Sequence, residues 1–185
     1  MAGDTRKRFL RTAAELFQRQ GYHATGLNQI VTEGRAPKGS LYFHFPGGKE
    51  QLAVEAVAAG GAELSTRMAQ VVARSSSAGD AVVALGRFFA MRLIESDYTA
   101  GCPVATIALE ASTNGEIRTA CKGAYGEWLG GLTALLGRHG VPSPESHAQV
   151  VLSAVEGALL LARVRRDASV VTDVTNRLAT MLEKL

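Results

Sequence analysis

Strand-like alternation of apolar and polar residues is missing from this chain over any useful length, and no internal repeat is visible. Sheet architectures are thereby excluded, and an all-α fold is expected. Cysteine is scarce: Cys102 and Cys121 stand alone, with no CxxC and no Cys/His metal spacing. A disulfide scaffold and a zinc module are excluded with them. Catalytic signatures are also missing, whether GxSxG, a P-loop, a strand-borne GxGxxG or HExxH. The four histidines, His23, His44, His139 and His147, are scattered and flanked by turns. No catalytic residue, metal site or cofactor is therefore expected. The most apolar stretch, Val150 to Val164, reads as too short and too interrupted by Ser153, Glu156 and Arg163 to span a membrane. The expected setting is soluble, reducing and cytoplasmic, with no membrane partner.

What is present is a 185-residue chain with 46% hydrophobic and 20% charged residues, enough to bury a sizeable core. Its net charge of +3 is small, but it is unevenly placed: residues 1–50 carry +4 and the remainder −1. The basic excess lies at one end, as a nucleic-acid footprint would.

Apolar residues recur at helical spacing through most of the chain. A first helix is predicted from an Asp4 cap to about Gln20. Thr25 is a good cap for a second, Leu27 to Glu33, which Gly34 can end in a left-handed conformation. Pro37 suits the start of a third, Lys38 to His44, stopped by Pro46 and Gly47–Gly48. A long helix from Lys49 to about Arg74 follows, with Gly60–Gly61 able to permit a bend, and then a turn-rich SSSAGD segment. Further helices are predicted over 81–95, 104–112, 117–136, from a Ser143 or Ser146 cap to about Arg166, and over 169–184.

The segment from Thr25 to Lys49 has the plan of a helix–turn–helix, which sets its second helix in the DNA major groove. Leu41 and Phe45, four apart, face inward together. Lys38, Gly39, Ser40, Tyr42 and His44 face out. Gly39 and Ser40 are small enough for close approach to bases. Lys38, Tyr42, His44 and Lys49 can donate to phosphates, with Thr25 added at the head of the preceding helix. An ordinary solvated hairpin would show the same spacing.

The motifs narrow this further. FxxxGYxATxxxxI (Phe17, Gly21, Tyr22, Ala24, Thr25, Ile30) is followed by PKGSLYxHFPGGKEQL (Gly39, Leu41, Tyr42, His44, Phe45, Lys49, Glu50, Leu52). Together they resemble the DNA-binding domain of TetR-type transcriptional regulators. The APKGSLY and FPGGKEQL forms, with GCPVATIALE further on, look like the LmrA/YxaF-like branch. The resemblance implies a three-helix helix–turn–helix DNA-binding domain over 1–48 and a helical ligand-binding and dimerisation domain over 49–185, with 49–74 as connecting helix. It implies a homodimer that binds a double-stranded DNA operator and is released by a small-molecule effector.

Two features of the residues bear on that expectation. Phe88, Phe89, Arg92, Tyr125 and Trp128 combine large apolar bodies with a few polar tips, as a ligand pocket does, or as a core does. The helix around Val150–Val164 is apolar almost all round, so it is central to a monomer core or shared with a second subunit. With the last helix it can build a four-helix bundle about a two-fold axis. The competing reading is an all-helical small-molecule-binding module or enzyme without a DNA-regulatory role.

Overall fold

The computed structural model describes residues 2–111 and 113–185. Among them the secondary structure is helical throughout. The elements are α1 (Ala2–Gln20), α2 (Leu27–Glu33), α3 (Lys38–His44), α4 (Gly48–Val72), α5 (Ala78–Glu95), α6 (Ala105–Ala111), α7 (Gly115–Arg138), α8 (Pro144–Arg165) and α9 (Ser169–Leu182). They divide into two compact units, residues 1–62 with 102–124, and 63–101 with 125–185. The first unit is thus larger than the 1–48 segment read from sequence.

In the first unit α1 packs on α2, α3 and α6. Phe9, Phe17, Ile30, Leu41, Phe45, Leu52 and Val57 are all fully buried. Such side chains each contribute about 1.5–3 kcal/mol of hydrophobic stabilisation. The turn after α1 needs Gly21, whose φ of +92° is a backbone state that side chains disfavour.

Three local expectations are corrected here. Asp4 lies within the first turn of α1 instead of capping it. Gly26 occupies the cap of α2, with no side-chain cap bond. Thr25 is buried one residue earlier, and its hydroxyl donates to the Gly21 carbonyl at 2.7 Å. Gly34 keeps a right-handed conformation, and Arg35 takes the left-handed one, with φ of 49°. The buried Gly34 is needed for space: a Cβ there would come within 2.7 Å of the Ile30 carbonyl and 3.0 Å of the Phe9 ring.

In the second unit α9 packs on both α5 and α8. Ser77 caps α5 by accepting from the Asp80 N–H. Gly86 lets α5 and α9 approach: a Cβ there would meet Thr175 Oγ1 at 2.0 Å. Ser143 precedes α8 in a left-handed conformation and gives no side-chain cap. α4 continues through Gly60–Gly61 as one helix.

With 22 residues, α8 is long and apolar enough to cross a membrane by length and composition, which corrects the expectation that it is too short. It nevertheless has a buried face, Ala148, Val151, Val155, Ala158, Leu159 and Ala162, and it packs on α9 and α5. Its other face is uncovered: Leu160 is 57% and Val164 77% exposed.

Candidate nucleic-acid interface and effector cavity

α3 is held from beneath by Leu41 and Phe45, both fully buried. Its outer face is left free for contact. Lys38, Gly39 and Tyr42 are exposed, while Ser40 and His44 are half-buried. A Cβ at Gly39 would meet nothing within 4 Å, so the surface there is open to close approach. Phe43, which the sequence reading passed over, is the most exposed aromatic on this helix at 79%. Its ring meets only the edge of His44 among the ring contacts, at 5.0 Å. The signal that it belonged outside was available: it sits between the inward positions Leu41 and Phe45.

Lys49 and Thr25 are placed differently from the rest of the set. Lys49 is half-buried and donates to the His23 carbonyl at 3.3 Å, with its ammonium 4.4 Å from the Tyr22 ring centre. Burial lowers its pKa, and the Glu110 carboxylate partly opposes that. Burial likewise raises the Tyr22 hydroxyl pKa, with help from Glu50. Glu110 completes the arrangement by accepting the His23 N–H at 2.7 Å, while the His23 ring sits 3.0 Å from the Glu110 carbonyl. This ties the α1–α2 turn to α6 and the start of α4. The ammonium of Lys49 gives one bond to it at an exposed position, while Thr25, fully buried, donates its hydroxyl proton to Gly21.

At the start of α1, Arg6 bonds Glu55 at 2.5 Å and lies 5.0 Å from the Phe45 ring centre. That carboxylate partly offsets the unfavourable cation at a helix N-terminus.

The second unit has a cavity of about 630 Å³ that is partly open to solvent. Met68, Val72, Leu85, Trp128, Leu132 and Leu135 supply its apolar wall. Ser65, Ser75, Arg138 and His139 supply polar groups. Of the five residues expected to form a pocket, only Trp128 lines it. Phe88 and Phe89 stack edge to face at 5.1 Å, with Arg92 lying 5.6 Å from the Phe88 centre. Tyr125 meets Trp128 edge-on at 5.3 Å. Those four side chains do not line this cavity. Helical spacing put the right residues on apolar stripes but could not tell which stripe would border a void.

Cys102 and Cys121 are both buried free thiols, and burial pushes the Cys121 thiol pKa up. No group of three or more metal-ligand side chains converges among the described residues.

Residues 9–56 match the profile of bacterial regulatory proteins of the tetR family, and residues 78–177 that of the LmrA/YxaF-like transcriptional regulator C-terminal domain. The chain belongs to the TetR family, in its LmrA/YxaF-like branch. This TetR-family chain is 35% identical to the HTH-type transcriptional regulator LmrA of Bacillus subtilis, over 98% of each chain. It is equally identical, at 35%, to YxaF of the same organism, covering 98% of this chain and 97% of that one. In fold it resembles a TetR-family regulator from Agrobacterium tumefaciens, with a TM-score of 0.88 at 19% identity over 98% and 99% of the two chains. As a TetR-family member it is a DNA-binding transcriptional regulator and not an enzyme.

Proposed function

We propose that this protein acts in the cytoplasm as a homodimeric repressor, released from a palindromic operator by a small apolar or aromatic molecule. The observation that carries the reading is α4. It begins at Gly48, shortly after α3, and Ser65, Met68, Ala69 and Val72 on it form one wall of the cavity. An occupant that moves that wall acts on the helix that follows the reading helix.

Lys38, Tyr42 and His44 are assigned to phosphates. Gly39, Ser40 and Phe43 are assigned to the groove, where an apolar ring can meet thymine methyl groups. The uncovered aliphatic stripe of α8, with Met181 of α9 at 52% exposure, is assigned to the second subunit. The effector must prefer the DNA-incompetent state, since equal affinity for both shifts nothing. By linkage, operator DNA then weakens effector binding by the same factor.

The test is fluorescence anisotropy with duplex from upstream of the chain's own coding region. Binding to an inverted repeat with half-site centres about 34–36 Å apart is expected, together with loss of binding by a Gly39→Arg variant that blocks groove entry. A wild-type monomer bound tightly to a single half-site would refute the dimeric reading. Ligand binding with no duplex binding at all would favour a simple binding module.

A further inference from the structure

We propose that the cavity receives an organic anion, with an apolar body against Met68, Val72, Leu85 and Trp128 and a carboxylate or similar head on Arg138 and His139. The inference rests on the reading of this cavity as the effector site, and it adds the charge and shape of the occupant.

The size fits: about 630 Å³ lies within the range of roughly 300–1,000 Å³ typical of small-molecule sites. The charge pattern decides the rest. Arg138 and His139 border the cavity, and no aspartate or glutamate does. Arg138 enters none of the ion pairs found among the described residues. Its charge is therefore not neutralised from within the protein.

One effect works against an anion here. Arg138 is the last residue of α7, and a helix C-terminus carries the equivalent of roughly half a negative charge. The full charge of the guanidinium outweighs it, and the same dipole favours a cation at that position. A guanidinium can bind both oxygens of a carboxylate, and such charge-assisted bonds are about twice as strong as neutral ones. Ser65 and Ser75 provide further donors on the lining. A cationic ligand would face an unneutralised arginine, which selects against it.

Trp128 is the only tryptophan in the chain and lies in the cavity wall, so its emission reports occupancy. Full-length protein is titrated with phenylbutanoate and with its neutral isostere phenylbutanamide, followed by Trp128 emission and by calorimetry. The carboxylate is expected to bind about tenfold or more tighter than the amide. Arg138→Gln, an exposed and fold-neutral change, should bring the carboxylate down to the amide's level and leave the amide unchanged. Arg138→Lys should keep part of the preference. Ala69→Phe, which fills part of the hollow without adding a second tryptophan, should weaken both. Equal affinities in the wild type, no binding of either compound, or a carboxylate affinity indifferent to Arg138→Gln would each overturn the proposal. Operator anisotropy in the same samples separates the two readings. Carboxylate binding that follows Arg138 while operator affinity stays constant upholds the site and defeats the effector role. Release of the operator by neutral compounds alone defeats the anion and upholds the role.

Discussion

The two compact units finish their burial to different degrees. In the first, the large aromatic residues Phe9, Phe17 and Phe45 are at 0% exposure, and the polar groups of its turn are tied up among His23, Lys49 and Glu110. What it leaves outside is a mixed surface on α3, where Phe43 stands among Lys38, Tyr42 and His44. In the second, the helices border a partly open cavity and leave aliphatic Leu160, Leu161 and Val164 in solvent. A mixed polar and aromatic surface suits a hydrated, charged partner such as DNA. A continuous aliphatic stripe suits another protein surface, and a hollow suits a small molecule. A unit with incomplete burial is where binding can change structure, because its contacts are not all satisfied within the chain.

The largest effect that tests this contrast is in the closed core. Phe17→Ala should cost about 3–5 kcal/mol in urea unfolding, from lost transfer energy and a cavity. Leu160→Ala on the open stripe should change monomer stability by no more than about 0.5 kcal/mol, yet shift the sedimentation profile toward monomer. Similar losses of fold stability from both would erase the distinction between the units.

A smaller effect is expected at the α5–α9 contact. Gly86→Ala places a methyl against Thr175, and overpacking of this kind costs about 1–3 kcal/mol. Adding Thr175→Ala should recover part of the loss in thermal melts; no recovery would place the strain in the α5 backbone. Smaller again, Gly21→Ala forces a side chain into the left-handed region, at about 1–2 kcal/mol. Glu110→Ala added to it removes the contact, since a Cβ would sit 2.0 Å from Glu110 Oε1, but leaves the backbone cost. Full rescue by the double change would show that crowding, and not φ, requires glycine there.

The smallest effect is alkaline. The lowered pKa of Lys49 means that the folded protein sheds this proton before the unfolded chain does. Between the lowered value and the ordinary lysine value, the unfolded state holds more protons, so this group's contribution to stability rises with pH. Tyr22 acts in the opposite direction: its raised pKa keeps a proton that the unfolded chain loses above the ordinary tyrosine value, so its contribution falls as pH climbs through that window. Lys49→Met should remove the rising component and make the alkaline loss of melting temperature steeper. An unchanged alkaline slope would show that Lys49 is as solvated in the fold as in the unfolded chain.

Legibility in the sequence followed the range of the forces involved. α2 and α3 begin and end at the residues expected, and for α3 the flanking Pro37 and Pro46 restrict the local backbone at those limits. The caps were less legible. Thr25 has the right chemistry for a cap, but the chain turns so that Gly26 takes the position and Thr25 bonds back to Gly21. A capping preference is worth about 1 kcal/mol, which the burial of a neighbouring aromatic core readily overrides. The outward set on α3 was readable from Leu41 and Phe45, except for Phe43, whose aromatic character masked its outward position. Lys49 appeared free because nothing nearby in sequence announces Glu110, which lies sixty-one positions further on.

The sequence by itself determined the helical class, the limits of α3, the basic end and the family motifs, because each depends on spacing within a few residues. Only the tertiary structure decided that Trp128 shares the lining of one cavity with Arg138, and that α8 buries one face and leaves the other bare. The physical reason is that an apolar stripe specifies that a face is to be covered but not by what. The direction of neighbouring helices, set where Gly86 lets α5 close on Thr175 of α9, determines which stripe meets a helix, which meets a void and which meets solvent.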